Sequence, residues 1–228
     1  MGALALIVGG YFLGALPFGV ALASAHGVDP SESTRLNSTL WREVGKLEAV
    51  AVVLVDFAKG VFPVLVGFGF SFSVGVVALS GVAAVVGQVW PPLRGHGGKG
   101  NGTGLGVLLM LLFLYEAFLP MLSILFFILS AGAGILIIAQ SLVGAHDAGH
   151  PLSLLFSLGM LLGFATAPIL SLSSGQPQGL SCGLALVLGV IVARRLTAGL
   201  TVDLSVGVGV HVVLLRRLFF DLPVTSQE

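Results

Sequence analysis

A glycine-rich, basic stretch at residues 91–106, PPLRGHGGKGNGTGLG, lies between two long apolar runs. Consecutive glycines let backbone N–H groups converge on one point, because no Cβ blocks the approach, and such a nest binds anions. Lys99 adds a positive charge, and Thr103 is placed to cap the following helix, whose N-terminus also favours an anion. The stretch predicts a phosphate site; a flexible hinge between two membrane spans is the alternative.

The same stretch does not have the spacing of a nucleotide-binding P-loop. In that motif the lysine is followed by Ser or Thr, whereas Lys99 is followed by Gly100. No dinucleotide, haem or nucleophile-elbow motif occurs in the rest of the chain. We therefore predict a phosphate ligand without a cofactor.

A second polar feature, VDFAKG, interrupts the apolar run at residues 55–60. Asp56 and Lys59 are three residues apart and so share one face of a helix. Ions at membrane depth are costly and usually face the protein interior and pair. Two interpretations stay open: Lys59 faces an anionic substrate with Asp56 holding it, or the two form a neutralised pair that packs one helix against another.

Polar residues also gather in the segment 26–46, HGVDPSESTRLNSTLWREVGK. Its side-chain donors could surround a polar headgroup, but a solvated loop anchored in the interface by Trp41 explains them as well. These donors are Ser31, Ser33, Thr34, Arg35, Asn37, Ser38, Thr39 and Arg42. His146, Asp147 and His150 fit no zinc-site spacing, so no metal is predicted.

The elements that must position these residues are membrane helices. The chain has 228 residues, of which 56% are hydrophobic and 9% charged, and its mean hydropathy is +1.08. Apolar runs of about 20 residues can cross a bilayer, and lipid-facing backbone must be helical. We expect an all-α integral membrane protein, a single domain over 1–228, with about seven spans near 3–25, 47–69, 70–90, 103–119, 120–142, 151–172 and 179–193. Segment 203–220 is short and ends at Arg216 and Arg217, so it is expected to lie in the interface or re-enter.

The ten Lys and Arg residues predict the orientation. With seven spans they fall at or near one side, in the loops 26–46 and 91–102 and after residue 193, whereas the opposite connections have none. Positive loops stay in the cytoplasm, so the N-terminus is expected outside and the C-terminus inside.

Taken in order, these motifs resemble the bacterial membrane acyltransferases that acylate glycerol 3-phosphate from acyl phosphate, the PlsY family. The resemblance covers roughly the first half of the chain, in the family's order and spacing. GGKG followed by a span that starts with Thr is its most specific part, and VLVDFAKGVFPV is the second. The remaining matching stretches are YFLGALPFGVALA, HGVD, REVGK and GQVWP.

The chain departs from the family in its other polar motifs. The first motif keeps Arg42 but lacks its GSGN start, and only the segment around Asn37 is similar to the family's GATN. Gln88 stands where the family has His before its FP sequence. Near the C-terminus His211 fits the HxxNxxRL frame in part, but Leu214 replaces the Asn.

The resemblance implies an acyltransferase of phospholipid biosynthesis that converts glycerol 3-phosphate and acyl phosphate to lysophosphatidic acid. It implies phosphate binding by Gly97, Gly98, Lys99, Gly100, Thr103 and Asn37, with His211, Lys59 and Arg42 as catalytic residues and Asp56 as support. It also implies a multi-pass protein of the bacterial inner membrane in contact with lipid, without metal, cofactor, nucleic acid or obligate protein partner. The eroded motifs leave a second hypothesis, a non-catalytic relative that binds phosphate-bearing lipid precursors or headgroups. A transporter is the third, but no inverted repeat supports it.

Overall fold

The structure, a computed structural model, describes residues 1–28, 39–92, 97–142, 149–205 and 209–221. The regular structure in these ranges is helical and contains no strand, which confirms the prediction of an all-α protein. The helices group into two compact units, Met1–Leu114 and Tyr115–Glu228.

The N-terminal unit contains five α-helices and one π-helical turn within its described residues. They are α1 (Gly2–Ala15), α2 (Phe18–Ala25), the π turn (Leu40–Val44), α3 (Lys46–Gly69), α4 (Val74–Val89) and α5 (Asn101–Leu114). Helix α3 is central to the unit, because it contacts α1, α2, the π turn, α4 and α5.

Helices α1 and α2 form one apolar segment that is broken at Leu16 and Pro17. Leu16 is extended, with φ −60° and ψ 120°, because a residue before proline is pushed out of the helical region. Pro17 also lacks the N–H that would continue the hydrogen-bond ladder. The predicted span 3–25 is therefore two helices, and the break leaves the Leu16 carbonyl available to a side chain.

Glycines allow the helices of the N-terminal unit to approach closely. A Cβ on Gly14 would collide with the carbonyl of Ala84 in α4, and one on Gly60 would collide with the carbonyl of Thr103 in α5. Lipid tails are as apolar as leucine, so close contact between backbones is a main source of helix association in a membrane. These glycines therefore select which helix faces meet.

The C-terminal unit has a short 3₁₀ turn followed by five α-helices in its described residues. They are the turn at Pro120–Ser123, then α6 (Ile124–Leu142), α7 (Gly149–Ser173), α8 (Gln178–Thr197), α9 (Leu200–Leu204) and α10 (Val210–Phe220). Phe127 of α6 meets Phe164 of α7 edge to face, with ring centroids 5.0 Å apart. The hydroxyls of Ser171 and Ser181 lie 2.7 Å apart and join α7 to α8.

Four helical segments in the described ranges are long and apolar enough to cross a membrane. They are Gly2–Ala25, Lys46–Gly69, Leu155–Ser173 and Gln178–Thr197, and the shorter apolar helices are Val74–Val89, Asn101–Leu114 and Pro120–Leu136. These seven segments lie where the seven spans are predicted, with ends that differ by several residues, and the crossing of the membrane by the three shorter ones stays a prediction. Which side each loop occupies stays a prediction.

In the described residues of the segment 203–220, no helix is long enough to span a bilayer. Helix α10 has 11 residues and so extends about 16 Å, against about 30 Å of hydrocarbon. It packs on α7 and α8. Arg217 of α10 is buried, and its Nε donates to Asp203 Oδ2 at 2.7 Å. A buried ion pair thus fixes α10 to the end of α9.

Candidate functional site

Lys59 is the centre of a hydrogen-bonded cluster inside the N-terminal unit. The residue is only 4% exposed. Its Nζ donates to Leu16 O at 2.7 Å, Asp56 Oδ1 at 2.9 Å and Gln88 Oε1 at 3.1 Å. An ammonium group has three N–H donors, so all three are used by protein acceptors. The predicted pairing of Asp56 with Lys59 is confirmed.

The cluster depends on the helix break between α1 and α2. A carbonyl within an intact helix accepts from the residue four positions later, and the break removes that arrangement at Leu16. The lysine therefore joins three elements: the break, its own helix α3 through Asp56, and the end of α4 through Gln88. A buried charge is tolerated at this depth because it is both paired and hydrogen-bonded.

The glycine loop leaves α4 immediately beyond this cluster. The Gly98 N–H donates to the backbone carbonyl of Gln88 at 2.9 Å. Gly97 lies so close to the carbonyl of Val89 that a Cβ there would collide with it. Gly100 has φ +75°, a left-handed conformation that favours glycine. The loop thus follows a path that requires glycine at two of its positions.

Lys99 is exposed and precedes the N-terminus of α5 by two residues. A helix N-terminus carries unsatisfied N–H groups and a positive partial charge, and both attract anions. Exposed Gly98 and half-buried Gly97 lie beside Lys99 in the chain. The arrangement can therefore present a cation and a helix N-terminus to one phosphate, as the sequence predicted.

Thr103 has a different role from the predicted one. Helix α5 begins at Asn101, so Thr103 lies within its first turn and the prediction that it caps the helix is wrong. Its side chain is fully buried, and Oγ1 donates to the backbone carbonyl of Asp56 at 2.9 Å. This bond ties α5 to α3, and burial keeps the hydroxyl away from a phosphate at the loop. The predicted phosphate contact of Thr103 therefore has no geometric support.

The other predicted residues lie on other elements or outside the described ranges. Arg42 is exposed on the π turn, which is held to α3 by the buried Leu40 against Ala49 and Val52. His211 is exposed in the first turn of α10, in the C-terminal unit. Asn37, like His146 and Asp147, lies outside the described residues. The roles of Arg42, Asn37 and His211 stay predictions.

Gln88 and Asn101 are site residues that sequence reasoning missed. Gln88 is 29 positions from Lys59, and no helical period relates residues so far apart. Asn101, at the start of α5, has a buried Oδ1 without a hydrogen-bond partner. In the sequence, Asn101 follows Gly98, Lys99 and Gly100 directly, and this position could have identified it as a candidate.

An apolar groove opens beside the cluster, between the α1–α2 break and α3. It has a volume of about 490 Å³. Its lining includes Leu13, Leu16, Phe18, Val55, Ala58 and Phe62, with Lys59 at its side. Because the Nζ of Lys59 is turned to its three acceptors, the groove presents apolar surface only.

Comparisons with known proteins agree with these features. The pattern of the family described as glycerol-3-phosphate acyltransferase matches residues 4–203. The chain is 39% identical over 99 residues to the glycerol-3-phosphate acyltransferase of Rubrobacter xylanophilus and 36% identical over 105 residues to that of Aquifex aeolicus. These alignments cover 42% and 44% of this chain. They span about half the length of the curated relatives, 50% and 55%.

Solved structures extend the likeness to nearly the whole chain. The lysophosphatidic acid form of PlsY, an integral membrane glycerol 3-phosphate acyltransferase, is 26% identical with a TM-score of 0.64, covering 91% of this chain and 93% of that one. The glycerol 3-phosphate form of PlsY, at 24% identity and a TM-score of 0.67, has the same fold. The fold, the apolar helices and the family pattern over residues 4–203 together show that this chain is an integral membrane protein and belongs to the glycerol-3-phosphate acyltransferase family.

Proposed function

We propose that this protein transfers an acyl group from acyl phosphate to glycerol 3-phosphate and releases lysophosphatidic acid and inorganic phosphate. The observation that carries the proposal is the exposed Lys99, held in a glycine loop next to the N-terminus of α5 in a chain of this family. The relatives' names and the glycerol 3-phosphate and lysophosphatidic acid forms of PlsY support the acceptor and the product, and acyl phosphate as the donor rests on the family resemblance.

The phosphate loop supplies binding and charge stabilisation. Backbone N–H groups of Gly97 and Gly100, with the Lys99 ammonium, hold a phosphate and stabilise the negative charge that develops on it, whereas the predicted contact from the Gly98 N–H is replaced by its bond to the carbonyl of Gln88. Arg42 holds the second phosphate, and a guanidinium is suited to this because it donates two parallel hydrogen bonds. Asn37 contributes a further donor from the same segment.

The chemical step needs neither a metal nor a nucleotide, because acyl phosphate is already activated. A hydroxyl oxygen of glycerol 3-phosphate attacks the carbonyl carbon, and a new C–O ester bond forms. The C–O bond to phosphate breaks, and phosphate leaves with the electron pair. In this scheme His211 is the general base that accepts the hydroxyl proton.

Lys59 acts in this scheme by positioning rather than by touching substrate. All three of its donors are directed at Leu16, Asp56 and Gln88, and the residue is buried. The lysine therefore supports the loop and one wall of the apolar groove. An acyl chain that enters from the lipid fits this groove, because its lining offers apolar contact. Asp56 supports the lysine.

The proposal places the protein in the bacterial inner membrane, with seven spans, the N-terminus outside and the phosphate loop in the cytoplasm. The two compact units then act as one polytopic domain. Cytoplasmic placement follows from the positive residues in the loops and allows access to a charged, water-soluble acceptor.

The test is phosphate release by purified protein in lipid nanodiscs, given palmitoyl phosphate and glycerol 3-phosphate. We expect release that depends on the acceptor and falls about 10- to 100-fold in Lys99→Ala, since a charged hydrogen bond to phosphate contributes about 1.5–3 kcal/mol. Lys99→Arg should retain most of the release. Glu116→Gln is the matched control, because Glu116 is exposed on the connection after α5.

Equal rates with and without acceptor, or equal rates in Lys99→Ala and wild type, would contradict the proposal. Binding of glycerol 3-phosphate without turnover would instead identify a non-catalytic relative. Detection of lysophosphatidic acid by mass spectrometry separates acyl transfer from simple hydrolysis of the acyl phosphate.

A further inference from the structure

Gln88 contacts both the buried ion pair and the glycine loop. Its Oε1 accepts from Lys59 Nζ at 3.1 Å, and its backbone carbonyl accepts from the Gly98 N–H at 2.9 Å. It is also the neighbour that a side chain on Gly98 would meet first, since a Cβ there would lie 2.8 Å from Gln88 Nε2. One residue of α4 therefore meets Gly98 with its backbone and with its side-chain amide.

The side chain of Gln88 is held in place by groups that do not belong to the loop. Lys59 is itself fixed by the carboxylate of Asp56 and the carbonyl of Leu16, so its third N–H points in one direction. The amide oxygen that accepts this N–H is fixed in turn, and the amide nitrogen then lies beneath Gly98. Contacts between neighbouring groups thus connect the carbonyl of Leu16 through Lys59 and Gln88 to Gly98.

The far side of the loop is tied to the same cluster. Thr103, in the first turn of α5, donates to the carbonyl of Asp56. The loop is therefore attached to Gln88 through Gly98 and ends at α5. The first turn of α5 is bonded to Asp56, which pairs with Lys59. Lys99 lies between these two attachments, so its backbone position depends on both.

We propose that Gln88 is a positioning residue that sets the conformation of Gly98 and Lys99 for phosphate binding. This inference rests on the proposed function and assigns Gln88 a part in it. A neutral amide suits the position for two reasons: it accepts from an ammonium, and it adds no negative charge where a phosphate must bind. A carboxylate here would keep the first property and repel the phosphate.

The first experiment compares Gln88→Met and Gln88→Glu with wild type in nanodiscs. Gln88→Met has nearly the same length and removes both polar atoms, so we expect the KM for glycerol 3-phosphate to rise about tenfold while kcat changes less than threefold. Gln88→Glu should raise KM further. Gln178→Met is the matched control, since Gln178 is exposed at the start of α8 and undergoes the same chemical change.

Hydrogen exchange provides a readout that does not depend on turnover. Backbone amides of residues 97–100 should exchange about tenfold faster in Gln88→Met, while peptides from α3 and α5 keep wild-type protection. If the wild type has no acyltransferase activity, the proposed function fails and the exchange experiment still tests the positioning role. Unchanged exchange and unchanged KM in Gln88→Met would overturn the inference.

Gly98→Ala tests the same contact from the loop side and leaves the side chains of Lys59 and Gln88 in the sequence. Its Cβ would press on the Gln88 amide, so KM should rise as in Gln88→Met. If the two residues act through one contact, Gly98→Ala adds little to the KM of a Gln88→Met protein. Effects that multiply in the double variant would show that they act separately and would refute the proposal.

Discussion

Replacement of Lys59 by methionine should destabilise the N-terminal unit, because the ammonium joins three elements of it. The substitution keeps the length of the side chain but removes hydrogen bonds of 2.7, 2.9 and 3.1 Å. Removal of one partner from a buried ion pair costs about 3–5 kcal/mol. Because the Asp56 side chain is 19% exposed and can bind water, the lower end of this energy range applies. We therefore expect a loss of about 3 kcal/mol in the free energy of unfolding.

The measurement is unfolding in mixed micelles, followed by circular dichroism as the denaturing detergent fraction rises. A loss of about 3 kcal/mol corresponds to roughly a 100-fold larger unfolding constant. The informative partner is Lys59→Met/Asp56→Leu, which removes the stranded carboxylate as well. Replacement of a buried ion pair by apolar residues is often neutral, so this double variant should recover about half of the lost stability. The amide oxygen of Gln88 still lacks the Lys59 donor, and the carbonyl of Leu16 keeps only the N–H of Phe18, which limits the recovery.

The same two variants decide between the interpretations of the pair that the sequence leaves open. If Lys59 only positions its neighbours, the double variant should recover stability and show a KM for glycerol 3-phosphate raised about as far as in Gln88→Met, with kcat within threefold of wild type, because the contact that fixes the Gln88 amide is lost in both proteins. If Lys59 contacts substrate, kcat falls as well although stability recovers. A single Lys59→Met variant within about 0.5 kcal/mol of wild type would refute the claim that the cluster holds the unit together.

Three further predictions follow from buried contacts. Gly14→Val should separate α1 from α4, since even a Cβ collides with the α4 backbone. Detergent size-exclusion profiles should then show a loss of folded protein, and a wild-type profile would contradict the close approach. Thr103→Val keeps the side-chain shape but loses the bond to Asp56, so we expect about 1 kcal/mol of destabilisation. The KM for glycerol 3-phosphate should stay within threefold of wild type, and an increase above tenfold would support a direct contact between Thr103 and the phosphate. Arg217→Met strands the buried Asp203 and should cost about 3 kcal/mol, and Arg217→Met/Asp203→Leu should be more stable than the single variant in the same unfolding assay.

The membrane helices follow directly from local properties of the sequence. An apolar run of sufficient length must be helical in lipid whichever helix it packs against, because its backbone has no other hydrogen-bond partners. The Asp56–Lys59 pair is equally local, since a spacing of three residues places both on one face. The start of α5 near the glycine loop was also predictable to within two residues. In each case the determining interaction lies within one helical turn.

The helix ends were less predictable for a physical reason that the α1–α2 break illustrates. Hydropathy over residues 3–25 is continuous, so it does not reveal the bend. The carbonyl of Leu16 at the bend accepts from the N–H of Phe18 and from the ammonium of Lys59, which is 43 positions away. Pro17 marked the place of the break, but the side chain that binds the Leu16 carbonyl is set only by the packing of α1 against α3.

The sequence by itself therefore determined the class of the protein, its helices, the glycine loop with Lys99 and one ion pair. Tertiary structure alone decided that Lys59 uses all its donors internally, that Gln88 links it to Gly98, and that Thr103 faces α3 rather than a ligand. The reason is that apolar side chains are satisfied equally by lipid and by protein, so hydrophobicity does not select which helix faces meet. Close backbone approach at glycines and the pairing of a few buried polar groups make that selection, and both join residues far apart in the chain.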